Sequence, residues 1–481
     1  MFKYQMYKKL HDNIPNVYAE AREAAKEIGI PDEWKGKFGL TGAISGCPAP
    51  LRDDIQHYCE KGGAEVVPLA KLVDQIRELV KSVYGDEYDA APVNTCEAGL
   101  WVTFDSLFTP PNLGRGDNYR ARYLAIYEKH LHHHGAYGRP FPPRFKDIFA
   151  DRGSTAGELG FYGKRQNNTD TIIVPMEGAE YPVHGIKYWP VPLLTKVNVD
   201  KTLAKLAKVA ARHAGDLTGV TSLGYETPGY GYGDKDEDGV PRLLKGLAAL
   251  AHEYDVPYVI DNAWGIPFVG TDIRKTGADV FIYSMDKATG ATTSGLIIGK
   301  EEYLVPIRRA MGMHGDRWGT TASYGKAAYV TQDPGKEALL GQIAALSVLR
   351  DNPTVLTKPV DDLYNIIVEE FAALDPQLRK GIVINKSYNS TAVEVNYEGT
   401  WANGAGIPIF SIEDMYAGSN LLQTGMAQMG VIPTIAYDAN IYISPGLGTT
   451  DSKGQVIDEK MRLAVRALVR LIGIVTKYSW G

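Results

Sequence analysis

The residues best suited to chemistry in this sequence are Asp261 and Lys287, 26 positions apart. Each follows an apolar run. Val256 to Ile260 ends in Asp261, and Asp279 to Tyr283 ends in Ser284-Met285-Asp286-Lys287. Short apolar runs of this kind read as buried strands, so two strands would deliver a carboxylate and an amine at their C-terminal ends. Taken singly, a lysine there is an ordinary solvated strand end and an aspartate an ordinary helix cap. Together they could hold an aromatic aldehyde. The amine would bond to the aldehyde carbon, and the carboxylate would keep a ring nitrogen protonated so that the ring accepts electrons.

Other residues extend the set. Glu226-Thr227-Pro228, Asp261-Asn262-Ala263, Gly277-Ala278-Asp279 and Ser284-Met285-Asp286-Lys287 occur in this order. Their order and spacing resemble the fold-type-I enzymes of pyridoxal 5'-phosphate (PLP), the superfamily with the aspartate aminotransferase-like fold. Locally they are most similar to the cystathionine lyase and synthase group, and Lys287 to Gly299 is similar to the selenocysteine-synthase-like branch. The motif likeness covers roughly residues 220–300. It implies PLP as cofactor, carried by Lys287, with Asp261 at the ring nitrogen and Ala263 against one ring face. An aromatic group would cover the other face, Tyr181 or His184 in EGAEYPVHGIKYW, and Ser284 would be a phosphate ligand.

A phosphate also needs backbone N–H groups at a helix start. Asn94-Thr95-Cys96 opens a helical pattern with Trp101, Phe104 and Phe108 on one side. Thr95, Cys96 and Glu97 are therefore candidate cofactor contacts, in a place that resembles the Ser-Gly-Thr-Glu-Ala turn of many PLP enzymes. The resemblance also implies a late arginine for the substrate carboxylate. Here Asn440 to Gly446 lacks one, and Ile441 or Tyr442 holds its place. Arg317, in HGDRWGTT, is the candidate substitute, with Arg309 and Arg350 as alternatives.

These residues need a scaffold. The strand candidates Thr171–Pro175, Val220–Gly224, Val256–Ile260, Asp279–Tyr283 and Gly295–Gly299 alternate with helical patterns such as 199–213 and 241–254. Alternation of this kind predicts an α/β fold. It has a large, doubly wound, mainly parallel sheet domain that binds ligands beyond its strand ends, and a smaller C-terminal α/β domain. The expected organisation is an N-terminal helical arm (1–85), a PLP-binding domain (86–300), bridging helices (301–351) and a small domain (352–481). A Pro-, Gly- and Arg-rich interval, 108–165, reads as an insertion, and the arm as a segment that packs on a partner subunit.

The 481 residues suffice for two domains or more. The net charge of −6 gives no general attraction to nucleic acid or anionic membrane. Three cysteines suggest neither a disulfide framework nor a zinc site. No run of about 18 apolar residues occurs and the first residues do not read as a signal peptide, so a cytoplasmic enzyme is expected. No metal is expected. The acidic turn Asp234 to Gly239 resembles half of a calcium loop, but Lys245 stands where the closing glutamate belongs. His130, His132, His133 and His134 are too close in sequence to converge on one ion.

The expected function is a PLP-dependent lyase on an amino acid or related amine, with an aminotransferase as the alternative. An enzyme modifying aminoacyl-tRNA and a catalytically silent PLP-fold binding protein rank lower. The expected partners are a small-molecule substrate and a second copy of the chain, as homodimer or higher homo-oligomer, with no nucleic acid and no membrane.

Overall fold

A computed structural model describes residues 3–42, 47–108, 121–127, 139–141, 169–180, 193–287, 289–311, 330–402, 406–407, 421–434, 436–437 and 440–480. Eight strands form one sheet: β1 (Tyr88–Val93), β2 (Ala121–Tyr127), β3 (Arg139–Phe141), β4 (Thr169–Pro175), β5 (Leu217–Leu223), β6 (Tyr258–Asp261), β7 (Val280–Ser284) and β8 (Gly295–Lys300). Their order is β1-β8-β7-β6-β5-β2-β4-β3. From β7 to β3 every pairing is parallel, and β8 runs antiparallel to both of its neighbours.

The alternation within each strand explains the two layers of helices. In β7, Val280 and Ile282 join a core with Val93, Phe104 and Leu304, while Phe281 and Tyr283 join another with Ile76, Leu247, Leu340 and Ile343. The first face carries the helices Cys96–Leu107 and Glu301–Ala310. The second carries Leu69–Tyr84, Arg242–Glu253 and Lys336–Asp351. Each fully buried aliphatic side chain contributes about 1.5–3 kcal/mol. The parallel direction puts the C-terminal ends of β5, β6 and β7 side by side.

A second sheet, wholly antiparallel, has the order β11 (Ala436–Tyr437), β12 (Asn440–Ile443), β10 (Ala392–Asn396), β9 (Val383–Ser387). It packs with the helices Thr354–Phe371 and Asp458–Trp480 in a separate core.

Three features differ from the sequence reading. Ala121–Tyr127 lies inside the interval read as an insertion, yet it is an inner strand between β5 and β4, with Tyr123 to Ile126 buried. The rest of 108–165 lies outside the described residues, Phe108 and β3 excepted. The N-terminal arm is used within the chain. Val17, Ala21 and Ala24 of the helix Ile14–Glu27 enter the small-sheet core, and Leu69–Tyr84 packs on β1 and on Lys336–Asp351. That last helix, read as a bridge, buries Leu339, Leu340 and Ile343 in the large-sheet core.

Candidate active site

The site begins at the ends of β6 and β7. Asp261 closes β6 and pairs in register with Ile282, five residues before Lys287. Asp261 is only 2% exposed, and its Oδ1 accepts the Ala263 N–H at 3.1 Å, which turns the chain and fixes the carboxylate. After Ser284 the chain makes a tight loop, Met285 to Ala291, closed by a bond from the Ala291 N–H to the Met285 carbonyl at 3.1 Å. Lys287 stands half-buried in this loop, its Nζ 6.0 Å from the Trp264 ring centre. Asp261, Ala263, Trp264 and Lys287 line one cleft together with Gly224, Tyr225 and Asn389.

The motifs that flank the cleft serve as its frame. Gly277 adopts a left-handed φ of 78°, and Asp279, fully buried, accepts the Tyr258 N–H at 2.9 Å and pairs with Lys300 at 2.7 Å. This pins the far ends of β6 and β7. Glu226-Thr227-Pro228 joins the two sheets. Glu226 accepts the Asn389 N–H at 2.9 Å, and the Thr227 hydroxyl donates to buried Glu394 on β10 at 2.6 Å.

Helix Cys96–Leu107 starts beside the cleft. The Thr95 hydroxyl accepts the Ala98 N–H at 3.0 Å, a standard N-cap. Gly295 is needed here, because a Cβ on it would stand 2.6 Å from the Cys96 nitrogen. The Cys96 thiol is buried. Burial pushes its pKa well up, and the charge of Asp261 adds to this while Lys287 opposes it. Cys96 thus lies within electrostatic reach of both reactive residues. Glu97 and Asp286 act on it too.

Other candidates fall differently. The Ser284 hydroxyl donates to Asp286 Oδ1 at 2.5 Å, and Asp286 Oδ2 is buried with no hydrogen-bond partner among the described residues. Tyr181, His184 and Arg317 lie outside the described residues, as do His130, His132, His133 and His134. Arg309 is exposed, and Arg350 pairs with its exposed neighbour Asp351 at 2.8 Å. In the acidic turn, Lys245 and Arg242 pair with Asp236, Asp238 and Asp234.

Two lining residues, Trp264 and Asn389, are absent from the sequence reading, which names Tyr442 only in place of the missing arginine. Trp264 is three positions after Asp261, close enough for an aromatic search to find. Tyr442, where an arginine is missing, is 3% exposed and hydrogen-bonded to the Thr227 hydroxyl. Its ring meets Trp264 at 5.5 Å and Tyr225 at 5.7 Å. Burial first, then the Glu394 charge, raises its pKa well above the usual phenol value, so it stands as a neutral ring packed against Trp264 and Tyr225. Asn389, 2% exposed in the β9–β10 turn, gives its amide to the Gly224 carbonyl at 2.5 Å and to Asn262 Oδ1 at 2.9 Å, and accepts the Thr271 N–H at 2.9 Å. It seals the large sheet's strand ends from the small-sheet side.

Comparison with solved structures agrees with this layout over nearly the whole chain. A chain of the SepCysS–SepCysE N-terminal domain complex superposes with a TM-score of 0.53 at 11% identity, covering 92% of this chain and 95% of that one. Aspartate aminotransferase from Thermus thermophilus with maleate superposes at 0.50 and 12% identity, covering 95% and 96%. The chain has the fold of the fold-type-I PLP enzymes. The class-V aminotransferase family model matches residues 235–323, the segment that contains Asp261 and Lys287. A probable cysteine desulfurase of Halalkalibacterium halodurans is 31% identical over 61 residues, 13% of this chain and 15% of that protein. The match and the fold indicate PLP as the cofactor. The residues present fit it: an amine and a buried carboxylate line one cleft with small and aromatic walls, beside a helix start that admits no side chain on Gly295. Among the described residues no helix is long and apolar enough to cross a membrane, and no group of three or more His, Cys, Asp or Glu could hold a metal.

Proposed function

We propose that this protein is a PLP-dependent enzyme that acts on an amino acid or related amine, and that its reaction is an elimination. The observation that carries the reading is that Asp261 and Lys287, from the ends of adjacent parallel strands, line the same cleft. When bound, PLP supplies the electron sink for a carbanion at the substrate's Cα. Lys287 would hold the cofactor covalently through Nζ and, once exchanged for the substrate amine, take the proton from Cα. Asp261 Oδ atoms would hold the proton on the pyridine nitrogen, a carboxylate facing the cationic ring. Ala263 and Trp264 would flank the ring. The start of helix Cys96–Leu107, with Thr95, Cys96 and Glu97, would receive the phosphate, and Ser284 would join it after turning from Asp286.

The second reading, an aminotransferase, is favoured by the class-V family match. The same residues serve both reactions. The first would require a leaving group on the substrate's Cβ, and the second a keto acid to receive the amino group. An amine panel separates them: catalytic ammonia release without an amino acceptor supports the lyase, and stoichiometric amino transfer to a keto acid supports the aminotransferase.

The attachment itself is tested directly. Borohydride reduction of the yellow protein followed by peptide mapping is expected to find the label on Lys287. A label on another lysine refutes the assignment.

The assembly belongs to the proposal as well. Fold-type-I relatives build each site from two subunits, so light scattering is expected to return a homodimer or larger. A fully active monomer at high dilution would reject a shared site.

A further inference from the structure

We infer that Asn389 is a positioning residue for Asp261: its carboxamide, carried in from the small sheet, clamps Asn262 and so fixes the strand end from which Asp261 meets the cofactor. This rests on the reading of Asp261 as the partner of the cofactor's ring nitrogen. Asn389 stands in the turn between β9 and β10, and Asn262 directly follows Asp261 at the end of β6. Their carboxamides pair head to head. Asn389 Nδ2 donates to Asn262 Oδ1 at 2.9 Å, and Asn262 Nδ2 donates to Asn389 Oδ1 at 3.3 Å. Both residues are 2% exposed and both line the cleft. The orientation of the pair is set by its neighbours. The Gly224 carbonyl takes the second hydrogen of Asn389 Nδ2, at 2.5 Å, and the Thr271 N–H donates to Asn389 Oδ1, at 2.9 Å. Two donations and two acceptances use all that a carboxamide offers. Asn389 therefore acts through Asn262 and not on a bound molecule.

The chain leaves room for this pair, since a Cβ on Gly224 or on Gly265 would collide with the Asn262 carboxamide. The turn that carries Asn389 is held in its own right. Glu226 accepts the Asn389 N–H at 2.9 Å and the Ser387 hydroxyl at 3.1 Å, and the hydroxyls of Ser387 and Ser390 meet at 2.6 Å. On the large-sheet side, the Asp261 carbonyl accepts the Gly224 N–H at 2.9 Å, and the Asn262 N–H donates to the Ile282 carbonyl at 2.9 Å. The peptide that joins Asp261 to Asn262 is thus gripped by both neighbouring strands through its backbone and by Asn389 through the Asn262 side chain. Removing Asn389 leaves the Asn262 carboxamide buried without its partner, which is costly. The nearest relief is a turn of the strand end, and Asp261 turns with it. A carboxylate that supports a ring nitrogen must stay within about 0.5 Å of its working place.

The test uses four full-length proteins: wild type, Asn389→Ala, Asp261→Asn and the double variant that carries both changes. Melting curves establish that they fold. Asn389→Ser, which keeps a small polar group in the turn, takes the place of Asn389→Ala should the alanine protein not fold. Each protein is freed of cofactor and titrated with PLP, and two quantities are read: the dissociation constant and the absorbance spectrum of the bound cofactor. Asp261→Asn gives the reference signature of a ring nitrogen without its carboxylate. Asn389→Ala is expected to bind PLP about three- to tenfold more weakly and to shift the spectrum part of the way to that reference. In the Asp261→Asn background the same change is expected to add nothing, because a residue that acts only through Asp261 has nothing left to act on. Wild-type affinity and spectrum in a folded Asn389 variant overturn the inference. A loss of equal size in both backgrounds also overturns it, since it reports a looser cleft and not a misplaced Asp261. Wild-type affinity and spectrum in Asp261→Asn overturn the reading of Asp261, and this inference with it.

Discussion

The Lys287→Ala protein is expected to lose turnover by about four orders of magnitude while remaining folded. Lys287 is half-buried at the mouth of its loop and bears no core packing, and the bond that closes the loop is between the backbones of Ala291 and Met285. Stability should therefore change little. The chemistry should change greatly, because in the proposed mechanism one amine both holds the cofactor and moves the Cα proton. A positioned base alone contributes about 10²–10⁴ in rate, and about 5.5 kcal/mol corresponds to the upper end. The measurement is kcat at saturating substrate, beside a melting curve. A folded Lys287→Ala enzyme within tenfold of wild type would remove Lys287 from the mechanism.

The second large effect belongs to Asp261. In Asp261→Asn the bond from the Ala263 N–H can persist on the amide oxygen, so the strand end should keep its shape. The negative charge is lost. A neutral amide cannot keep the ring nitrogen protonated, and losing about 3 kcal/mol of transition-state stabilisation means roughly a hundredfold slower turnover. The variant should still turn yellow with PLP, because Lys287 is untouched. Full activity in Asp261→Asn would refute the electron-sink role of this carboxylate.

Much of the large sheet is legible in the sequence, for a simple reason. β4 to β8 are short apolar runs between polar turns, and burial on both faces makes such runs continuous. β2 is harder to read. ARYLAIY is set between stretches crowded with Pro, Gly, Arg and His, and that composition hides an inner strand. The proposed pair is legible because Asp261 ends β6 and Lys287 comes three residues after the end of β7. The walls are not. Asn389 meets Asn262 across 127 positions and Gly224 across 165. No local pattern encodes contacts of that range. Tyr442 is visible in the sequence only where an arginine is missing, and its neutral, buried state follows from the Thr227 and Glu394 contacts that the fold creates.

The position of Asn389 has a consequence for how the protein is made. The eight strands of the large sheet all precede residue 301, so Asp261 and Lys287 leave the ribosome before the hairpin that holds Asn389. Domains generally fold as units in the order of synthesis. A nascent chain can thus display its amine and carboxylate on a finished sheet while one side of the cleft is still open to water. Tyr442, which backs Trp264, emerges later still. The cleft is complete only after those late segments have emerged, so an interrupted translation product would leave the Lys287 amine more open to stray aldehydes than the finished protein does.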